Sequence, residues 1–290
     1  MDTDLHDLLR GTLRALMQEP PADIAAALAG LGWAEVLGAD PEDATGLLFG
    51  EQGSALASTA ALDGVAARVL GLAPDTRFVW PGLDSFRAGG PEVAGGVVLA
   101  AIPGSAQLLS GDPAEGLDPA PAEGFASGSG WYVDDAPAPP GGAAVLGPAR
   151  LAVAEELLGV GGRALREACD HVGSRHQFGR PIGSYQSVRH RLAGAYAELT
   201  GAEAVVRAAR TDPAALGAAA KAVAGRACGL VVAEAVQVCG GMGLSAEHPV
   251  ARCARRTHLL DAFLGRATDL TRAMGAGLLR GDVPALTGSF

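Results

Sequence analysis

The chain has 290 residues, of which 49% are hydrophobic, and its formal net charge is -10. Length divided by about 150 residues gives two as the expected number of domains, and the composition is typical of a globular protein with a sizeable core. The acidic balance argues against nucleic acid as a partner, because duplex binding depends on clustered Lys and Arg side chains.

The cysteines and the amino terminus indicate the compartment. The cysteines are Cys169, Cys228, Cys239 and Cys253. No two of them form a Cys-x-x-Cys pair, so we expect buried free thiols in a reducing cytoplasm and no metal site. The acidic amino terminus lacks the basic segment of a signal peptide, and no stretch reaches the ~20 uninterrupted apolar residues of a spanning helix. The sequence thus predicts a cytoplasmic protein without a membrane segment.

Residues 1–72 are predicted to form an N-terminal helical domain. Its first helix shows leucines at helical spacing, namely Leu5, Leu8, Leu9, Leu13 and Leu16. A second helix is predicted from Asp23 to Leu31 and a third from about Ala55 to Leu70, with a loop at Asp40-Pro41 between them. This part of the chain shows no catalytic motif.

Residues 73–148 are predicted to form an abbreviated β-rich region. From Pro74 to Pro148 there are 14 Gly and 11 Pro, and the apolar residues come in short runs such as Val97-Val98-Leu99. Frequent breakers with short apolar runs are typical of small strands joined by loops. The segment from Pro119 to Pro140 also fits a disordered linker, and this alternative stays open.

Residues 149–290 are predicted to form a four-helix bundle. The helices are expected at about Ala149–Val172, from Ser184 onward, from Pro213 to Gln237, and at about Pro249–Leu279. Asp212 before Pro213 is a typical N-cap and first-turn pair, and Ser184 is the predicted N-cap of the second helix. The apolar face of that helix is predicted to contain Val188, Leu192, Tyr196, Leu199 and Val206. Short connections favour antiparallel neighbours.

The first chemical motif runs from Arg175 to Ser187 and reads Arg-His-Gln-Phe-Gly-Arg-Pro-Ile-Gly-Ser-Tyr-Gln-Ser. Its glycines and proline predict a tight turn between two helices. The Arg175 guanidinium suits pyrophosphate oxygens, the Gln177 amide can donate to a ribose or phosphate, and an exposed Phe178 ring can stack on a base. Backbone N–H groups at a helix end add to anion binding. The segment therefore predicts a nucleotide contact, with a plain basic connector as the alternative.

The second motif, Gln-Val-Cys-Gly-Gly-Met-Gly, begins at Gln237. The backbone N–H groups around Gly240 and Gly241 can form a concave nest that favours anions. The alternative is a helix end that simply uses left-handed glycines. Glu247 and His248 follow, and we expect this pair to cap and orient the last helix.

Together the two motifs resemble the signatures Arg-x-Gln-Phe-Gly-x-Pro-Ile and Gln-x-x-Gly-Gly-x-Gly of the flavin-dependent acyl-CoA dehydrogenases. The resemblance is strong over residues 149–275 and faint over 20–72. It implies a mainly α, acyl-CoA dehydrogenase-like fold with N-terminal helices, an abbreviated β-rich middle region and a C-terminal four-helix bundle. It also implies FAD as the cofactor, contacted by Arg175, Gln177, Phe178, Gln237, Gly240 and Gly241.

The catalytic base of that family is missing from this sequence. Dehydrogenation of an acyl-CoA needs a carboxylate beside the α-carbon, and the family places this Glu in a late Tyr-Glu-Gly-Thr turn or in a Glu-Arg-Leu helix start. The matching positions here are Leu264 and Ala149. Asp261 and Asp269 flank the late turn and stay open as replacements, although a shifted carboxylate must reach within ~3 Å of the proton.

The resemblance thus implies the smaller, degenerate chain of the α2β2 heterotetramers that some actinobacteria build from two acyl-CoA dehydrogenase chains. Such a chain completes the FAD site of a homologous full-length catalytic subunit, which introduces an α,β double bond into an acyl-CoA thioester. Heteromeric members often act on bulky substrates, which suggests lipid metabolism and steroid degradation, with electron-transfer flavoprotein as a candidate electron acceptor. Two alternatives stay open: a self-sufficient homo-oligomeric flavin dehydrogenase with an atypical base, and a flavin-free helical binding or regulatory module.

Overall fold

The computed structural model describes residues 3–19, 24–57, 59, 61–72 and 142–281, together with the backbone of short strands between Arg77 and Gly130. The N-terminal helices are α1 (Thr3–Gln18), α2 (Ile24–Gly30), α3 (Trp33–Ala39), α4 (Pro41–Ala55) and α5 (Ala61–Leu70). Their apolar faces enclose a small core that includes Leu13, Met17, Trp33, Phe49 and Val65. Ala152 of the following long helix closes this core, so the N-terminal helices pack directly on the bundle.

The loop predicted at Asp40-Pro41 is a single residue, because Asp40 separates α3 from α4 and Pro41 already begins α4. The Asp40 carboxylate accepts a hydrogen bond from the Asp43 backbone N–H at 3.2 Å, and Pro41 occupies the first turn of α4. This N-cap satisfies one of the otherwise unpaired N–H groups of the helix start. The same residue pair that ends one helical run therefore starts the next.

The middle region contains the short strands that the sequence predicts. They are β1 (Arg77–Pro81), β2 (Phe86–Ala88), β3 (Val97–Ala100), β4 (Ala106–Leu109), β5 (Ala120–Pro121) and β6 (Ser129–Gly130). The first four form a sheet in the order β2-β1-β3-β4, in which β1 and β3 are parallel and the other pairs antiparallel. The rest of the 119–140 segment lies outside the described residues, so its order stays a prediction.

The C-terminal part is the helical bundle that the sequence predicts. Its elements are α6 (Gly142–Ser174), β7 (His176–Gln177), β8 (Arg180–Pro181), α7 (Gln186–Ala209), α8 (Pro213–Cys239), α9 (Pro249–Ala262) and α10 (Ala267–Arg280). Asp212 caps α8 as predicted, since its carboxylate accepts from the Ala215 N–H at 3.1 Å. The domain boundaries at 72/73 and 148/149 stay predictions.

The last predicted helix is broken in two. Between α9 and α10, Leu264 and Gly265 adopt positive φ values of 57° and 107°, which end α9. The Asp261 carboxylate then accepts from the Ala267 N–H at 3.0 Å and so caps the start of α10. The apolar pattern hid this break because Phe263 and Leu264 in the turn are themselves apolar.

Two details of α7 differ from the prediction. Its N-cap is Tyr185, while the Ser184 hydroxyl donates to the carbonyl of Pro181 at 2.7 Å. Tyr196 is 62% exposed, although Leu192 and Leu199 on the predicted apolar face are buried. The helix packs mainly on α8 and therefore buries a narrower face than a central helix would.

Glycines allow α6 to approach its neighbours very closely. An ideal Cβ at Gly217 of α8 would overlap the carbonyl oxygen of Gly147 in α6. In the same way, a Cβ at Gly53 of α4 would overlap the carbonyl oxygen of Glu156. The close packing of α6 against both helices therefore depends on glycine, which has no side chain, at these two positions.

Among the described residues, one segment is long and apolar enough to cross a membrane, and it is α8 with its extension to Leu244. This helix contacts α6, α7, α9 and α10. Its buried positions include a string of Ala and Val residues and also Lys221. We interpret it as the central core helix of the bundle.

A substitution at the α6–α8 crossing should lower stability sharply. Gly217→Ala adds a methyl group against the Gly147 carbonyl and should cost about 1–3 kcal/mol of the free energy of unfolding. Gly229→Ala, on the same helix but with nothing within 4 Å of its Cβ, is the matched control. It should be neutral or stabilise by up to ~1 kcal/mol, because alanine is the better helix former. Urea denaturation measures both, and equal effects would contradict the close crossing.

Candidate functional site

Helices α6 and α8 run in the same direction, which brings both sequence motifs to one end of the bundle. Their second turns meet at Gly147 and Gly217. Their last turns meet at His171 and Cys239, whose ligand-type atoms lie within 4.8 Å of each other. The Arg175 motif follows α6 and the Gln237 motif contains the end of α8. We call this common region the motif end of the bundle.

The first motif forms a β-hairpin rather than a simple turn between helices. Strands β7 and β8 pair antiparallel, with Gln177 opposite Arg180. Phe178 and Gly179 connect them with φ values of 53° and 84°, a two-residue turn in which both residues are left-handed. A bulky residue rarely adopts this conformation, because its Cβ crowds the backbone. The turn holds the Phe178 ring 92% exposed.

The hairpin is stabilised by Tyr185 at the start of α7. The Phe178 ring meets the Tyr185 ring edge to face at 6.5 Å between centroids. The Arg180 guanidinium lies 4.1 Å from the centroid of the same ring, and the Tyr185 hydroxyl donates to the Gln177 carbonyl at 3.3 Å. These contacts explain how a strained, solvent-exposed turn keeps one conformation.

Arg175 has a fixed backbone and an uncommitted side chain. Its N–H donates to the His171 carbonyl at 2.9 Å, and its carbonyl accepts from the Ile182 N–H at 2.8 Å. The exposed guanidinium makes no hydrogen bond or ion pair with any residue that the structure describes. Within the described part of the chain, the Gln177 amide donates only to the His176 carbonyl, at 2.8 Å. Both groups can therefore bind an anionic ligand without losing a strong internal contact.

The second motif presents open backbone. Gln237 is exposed in the last turn of α8, and a short 3-10 helix spans Gly240–Leu244. Gly240 has φ 62° and ψ -147°, which favours glycine, and ideal Cβ atoms at Gly240 and Gly241 would meet nothing within 4 Å. Gly243 is different: it is buried, and its Cβ would press on Cys239 and Val236. The first two glycines thus expose backbone, whereas the third serves packing.

His248 caps α9, as the sequence predicts for the Glu247-His248 pair. Its Nδ1 accepts from the Val250 N–H at 3.2 Å. Its ring also meets that of His171 edge to face, 5.9 Å between centroids. Glu247 is exposed. The cap therefore comes from the imidazole, which also links the second motif to the end of α6.

The two residues that the sequence resemblance matches to the base of the family, Leu264 and Ala149, are buried in the core. Leu264 is 2% exposed and Ala149 is 0% exposed. Neither side chain can accept a proton. Asp261 uses its carboxylate to cap α10, and the exposed Asp269 pairs with Arg272 at 2.9 Å within its own helix. The described turn thus contains no uncommitted carboxylate.

Two cations that the sequence analysis missed hold this turn through its backbone. The Nζ of Lys221 donates to the carbonyls of Asp261 at 2.9 Å and Gly265 at 2.8 Å. The Nε of Arg150 donates to the Leu264 carbonyl at 3.0 Å. The signal in the sequence was Lys221 itself, the single lysine of the chain, in a helix rich in Ala and Val, because a buried ammonium needs several acceptors. Burial, with a smaller contribution from the Arg150 charge, lowers the pKa of Lys221 to about 8, and Asp261 opposes the shift.

Residues 143–278 match the family model of the acyl-CoA dehydrogenase C-terminal domain. This part of the chain is therefore an acyl-CoA dehydrogenase C-terminal domain. Acyl-CoA dehydrogenase IpdE2 of Mycolicibacterium smegmatis is 36% identical over 129 residues, which cover 44% of this chain and 42% of that relative. The chain thus spans less than half the length of the curated relatives that it matches.

Solved structures extend the similarity to the whole fold. The ChsE4-ChsE5 complex from Mycobacterium tuberculosis superposes with a TM-score of 0.72 at 22% identity, over 98% of this chain and 99% of that chain. The steroid ACAD Tcur3481-Tcur3483, in its G363A variant, superposes with a TM-score of 0.67 at 24% identity, over 96% of this chain and 89% of that chain. The chain therefore has the acyl-CoA dehydrogenase fold.

The pH dependence of stability should reveal the buried amine of Lys221. The unfolded chain keeps this proton up to the ordinary pKa of 10.5, whereas the folded protein releases it near about 8. Between these values the unfolded state binds more protons, so this group makes the free energy of unfolding rise with pH. The rise is at most about 3 kcal/mol and should be absent from Lys221→Met.

Denaturation of both proteins from neutral pH upward measures the difference. Burial also raises the pKa of Cys228 to about 12 and of Cys253 to about 11. These thiols lower stability above their ordinary pKa, but they do so equally in the two proteins. A pH profile that is parallel in wild type and Lys221→Met would show that the amine stays charged in the fold.

Proposed function

We propose that this chain is a partner-dependent, non-catalytic subunit of an FAD-dependent acyl-CoA dehydrogenase. The proposal rests on a contrast between two regions of the chain, one with exposed polar side chains and one with buried apolar side chains. The candidate cofactor residues are exposed and uncommitted at the motif end, whereas both base positions are buried apolar side chains. Such a chain can contribute contacts to a cofactor site but offers no base for dehydrogenation.

The residues at the motif end fit the adenosine diphosphate part of FAD. Arg175 offers a guanidinium for the pyrophosphate, Gln177 and Gln237 offer exposed amides, and Gly240 and Gly241 offer open backbone. Phe178 adds an aromatic face held away from the protein. FAD supplies the hydride acceptor for the oxidation of an acyl-CoA. The role of this chain would be to bind and orient that cofactor.

Exposed apolar groups at the same end support a site that is completed across an interface. Next to the second motif, Met242 is 53% and Leu244 is 72% exposed, and Phe178 at the hairpin is more exposed still. Large apolar side chains clustered on a surface are typical of interaction sites. The two similar solved structures named above are complexes of two different chains, which favours a homologous full-length partner, in an α2β2 assembly.

We further propose that the complex is cytoplasmic and acts on acyl-CoA thioesters in lipid metabolism. The name of the steroid ACAD among the structural relatives favours bulky, steroid-derived thioesters as the substrate class. Electron-transfer flavoprotein is the proposed electron acceptor of the complex.

Flavin content distinguishes this proposal from its alternatives. The chain is co-expressed with a neighbouring acyl-CoA dehydrogenase gene, and flavin is counted per chain in the complex and in the lone protein. We expect stoichiometric FAD in the complex and little or none in the lone chain. Stoichiometric FAD in the lone chain would indicate a self-sufficient dehydrogenase, and a flavin-free complex would indicate a binding module.

Arg175→Ala should weaken FAD binding in the assembled complex by roughly ten- to a hundredfold, because a charge-assisted phosphate contact contributes about 1.5–3 kcal/mol. Arg207→Ala is the matched control, since Arg207 is equally exposed but lies in the last turn of α7, away from the motif end. Flavin retention during dilution measures the affinity. If the two variants retain FAD equally well, the hairpin is only a connector.

Asp261→Asn and Asp269→Asn should leave turnover of the complex within a few-fold of normal. In the first variant the side-chain amide oxygen can still accept the Ala267 N–H, so the α10 cap is kept. Loss of a general base typically costs ~100-fold or more. Steady-state dehydrogenation assays separate the two outcomes. A loss of that size in either variant, with flavin and assembly intact, would make this chain catalytic.

A further inference from the structure

Three side chains of metal-binding type meet at the motif end. His171 lies in the last turn of α6, Cys239 is the last residue of α8, and His248 is the N-cap of α9. One ligand atom of each lies within 4.8 Å of the corresponding atoms of the other two. Three separate elements thus converge on one point, which we call the His-Cys-His cluster.

We propose that the His-Cys-His cluster binds a divalent metal ion of the zinc type. Imidazole nitrogen and thiolate sulfur are the usual ligands of zinc. Two nitrogens and one sulfur fill three positions of a tetrahedral site and leave the fourth position for water. Cys239 is 5% exposed and both histidines are half-buried, so the cluster borders the solvent that would supply that water. Magnesium and calcium are excluded as the preferred ions, because they take oxygen ligands.

The ligand side chains are available. Those of His171 and Cys239 make no hydrogen bond with any residue in the part of the chain that the structure describes. His248 uses Nδ1 to accept from the Val250 N–H at 3.2 Å. A neutral imidazole that accepts at Nδ1 carries its proton on Nε2, so metal binding exchanges this long cap hydrogen bond for a metal–nitrogen bond. That exchange is favourable, since a cap contributes far less than a metal bond.

The surroundings favour the metal-binding form of His171 and oppose that of Cys239. Burial lowers the pKa of His171, and the neighbouring His248 and Arg175 lower it further, which favours the neutral imidazole. Burial and the nearby Glu167 raise the pKa of Cys239, so the metal-free thiol stays protonated. Binding then replaces the thiol proton by the ion, and one proton is released to solvent. Glu167, one turn before His171 on α6, lies beside the site, where it pairs with Arg163 at 3.1 Å.

The expected role of the ion is structural. The cluster ties the end of α6, which leads into the Arg175 hairpin, to the end of α8 and the start of α9, which flank the glycine-rich loop. A bound ion would fix the distance between the two motifs. The proposed metal site rests on the geometry of the cluster and does not depend on the proposed function. Its test measures metal binding rather than flavin content or turnover.

Cobalt titration of the purified, chelator-treated full chain tests the site. We expect one Co²⁺ per chain, with a near-ultraviolet thiolate-to-cobalt band and the intense visible bands of tetrahedral coordination. Cys239→Ser should lose the thiolate band and bind at least ~10-fold more weakly. Cys169→Ser is the matched control, because this exposed cysteine lies on α6 only two residues before His171, and it should behave as wild type.

Thermal unfolding with Zn²⁺ gives an independent measurement. Zn²⁺ should raise the melting temperature of the wild type in proportion to the logarithm of its concentration, and the shift should be absent from His171→Ala. His171 is not part of the apolar core, so we expect His171→Ala to fold. It therefore tests the site even if Cys239→Ser does not fold. Absence of a thiolate band in the wild type, or its persistence in Cys239→Ser, overturns the proposal. An equal Zn²⁺ shift in His171→Ala also overturns it.

Discussion

The buried ion pair between Glu156 of α6 and Arg256 of α9 is the interaction on which the rest of the molecule depends. The Arg256 Nε donates to a Glu156 oxygen at 2.8 Å, and the Gln52 amide of α4 donates to the other oxygen at 2.8 Å. The Arg256 Nη2 also donates to the Ala57 carbonyl at 3.3 Å. A buried charge is tolerated only when it is paired in this way, so three helices must keep one relative position.

The direction of the pKa shift of Glu156 shows which forces act there. Burial raises the pKa of this carboxyl, and Arg256 and Gln52 oppose the shift by charge and hydrogen bonding. Removing one partner would leave the other charge buried and unpaired, which costs more than the pair itself contributes. Because α6 and α9 are fixed by this pair, the elements at their ends are fixed as well. These ends hold the Arg175 hairpin and the His248 cap.

The turn between α9 and α10 is held from inside the bundle. Lys221 and Arg150 bind three of its carbonyls, and the Asp261 side chain caps the next helix. Charged groups at this place therefore satisfy backbone acceptors, and the Leu264 side chain fills the core. The motif end shows the opposite arrangement, with Arg175 and Gln237 exposed. One fold thus combines a turn sealed by buried cations with an end at which polar side chains stay exposed.

Local sequence determined the helical class, the N-cap at Asp212, the two motifs and the apolar side chains at Leu264 and Ala149. These features depend on residue identity or on spacings of a few residues, which helix periodicity and capping chemistry translate directly into structure. Only the tertiary structure decided the break between α9 and α10, the exposure of Tyr196 and the hairpin at Phe178. It also decided the His-Cys-His cluster, whose members lie 68 and 9 residues apart along the chain, as their numbers 171, 239 and 248 show. No Cys-x-x-Cys spacing marks such a cluster, because its geometry comes from the parallel packing of α6 and α8 through Gly147 and Gly217.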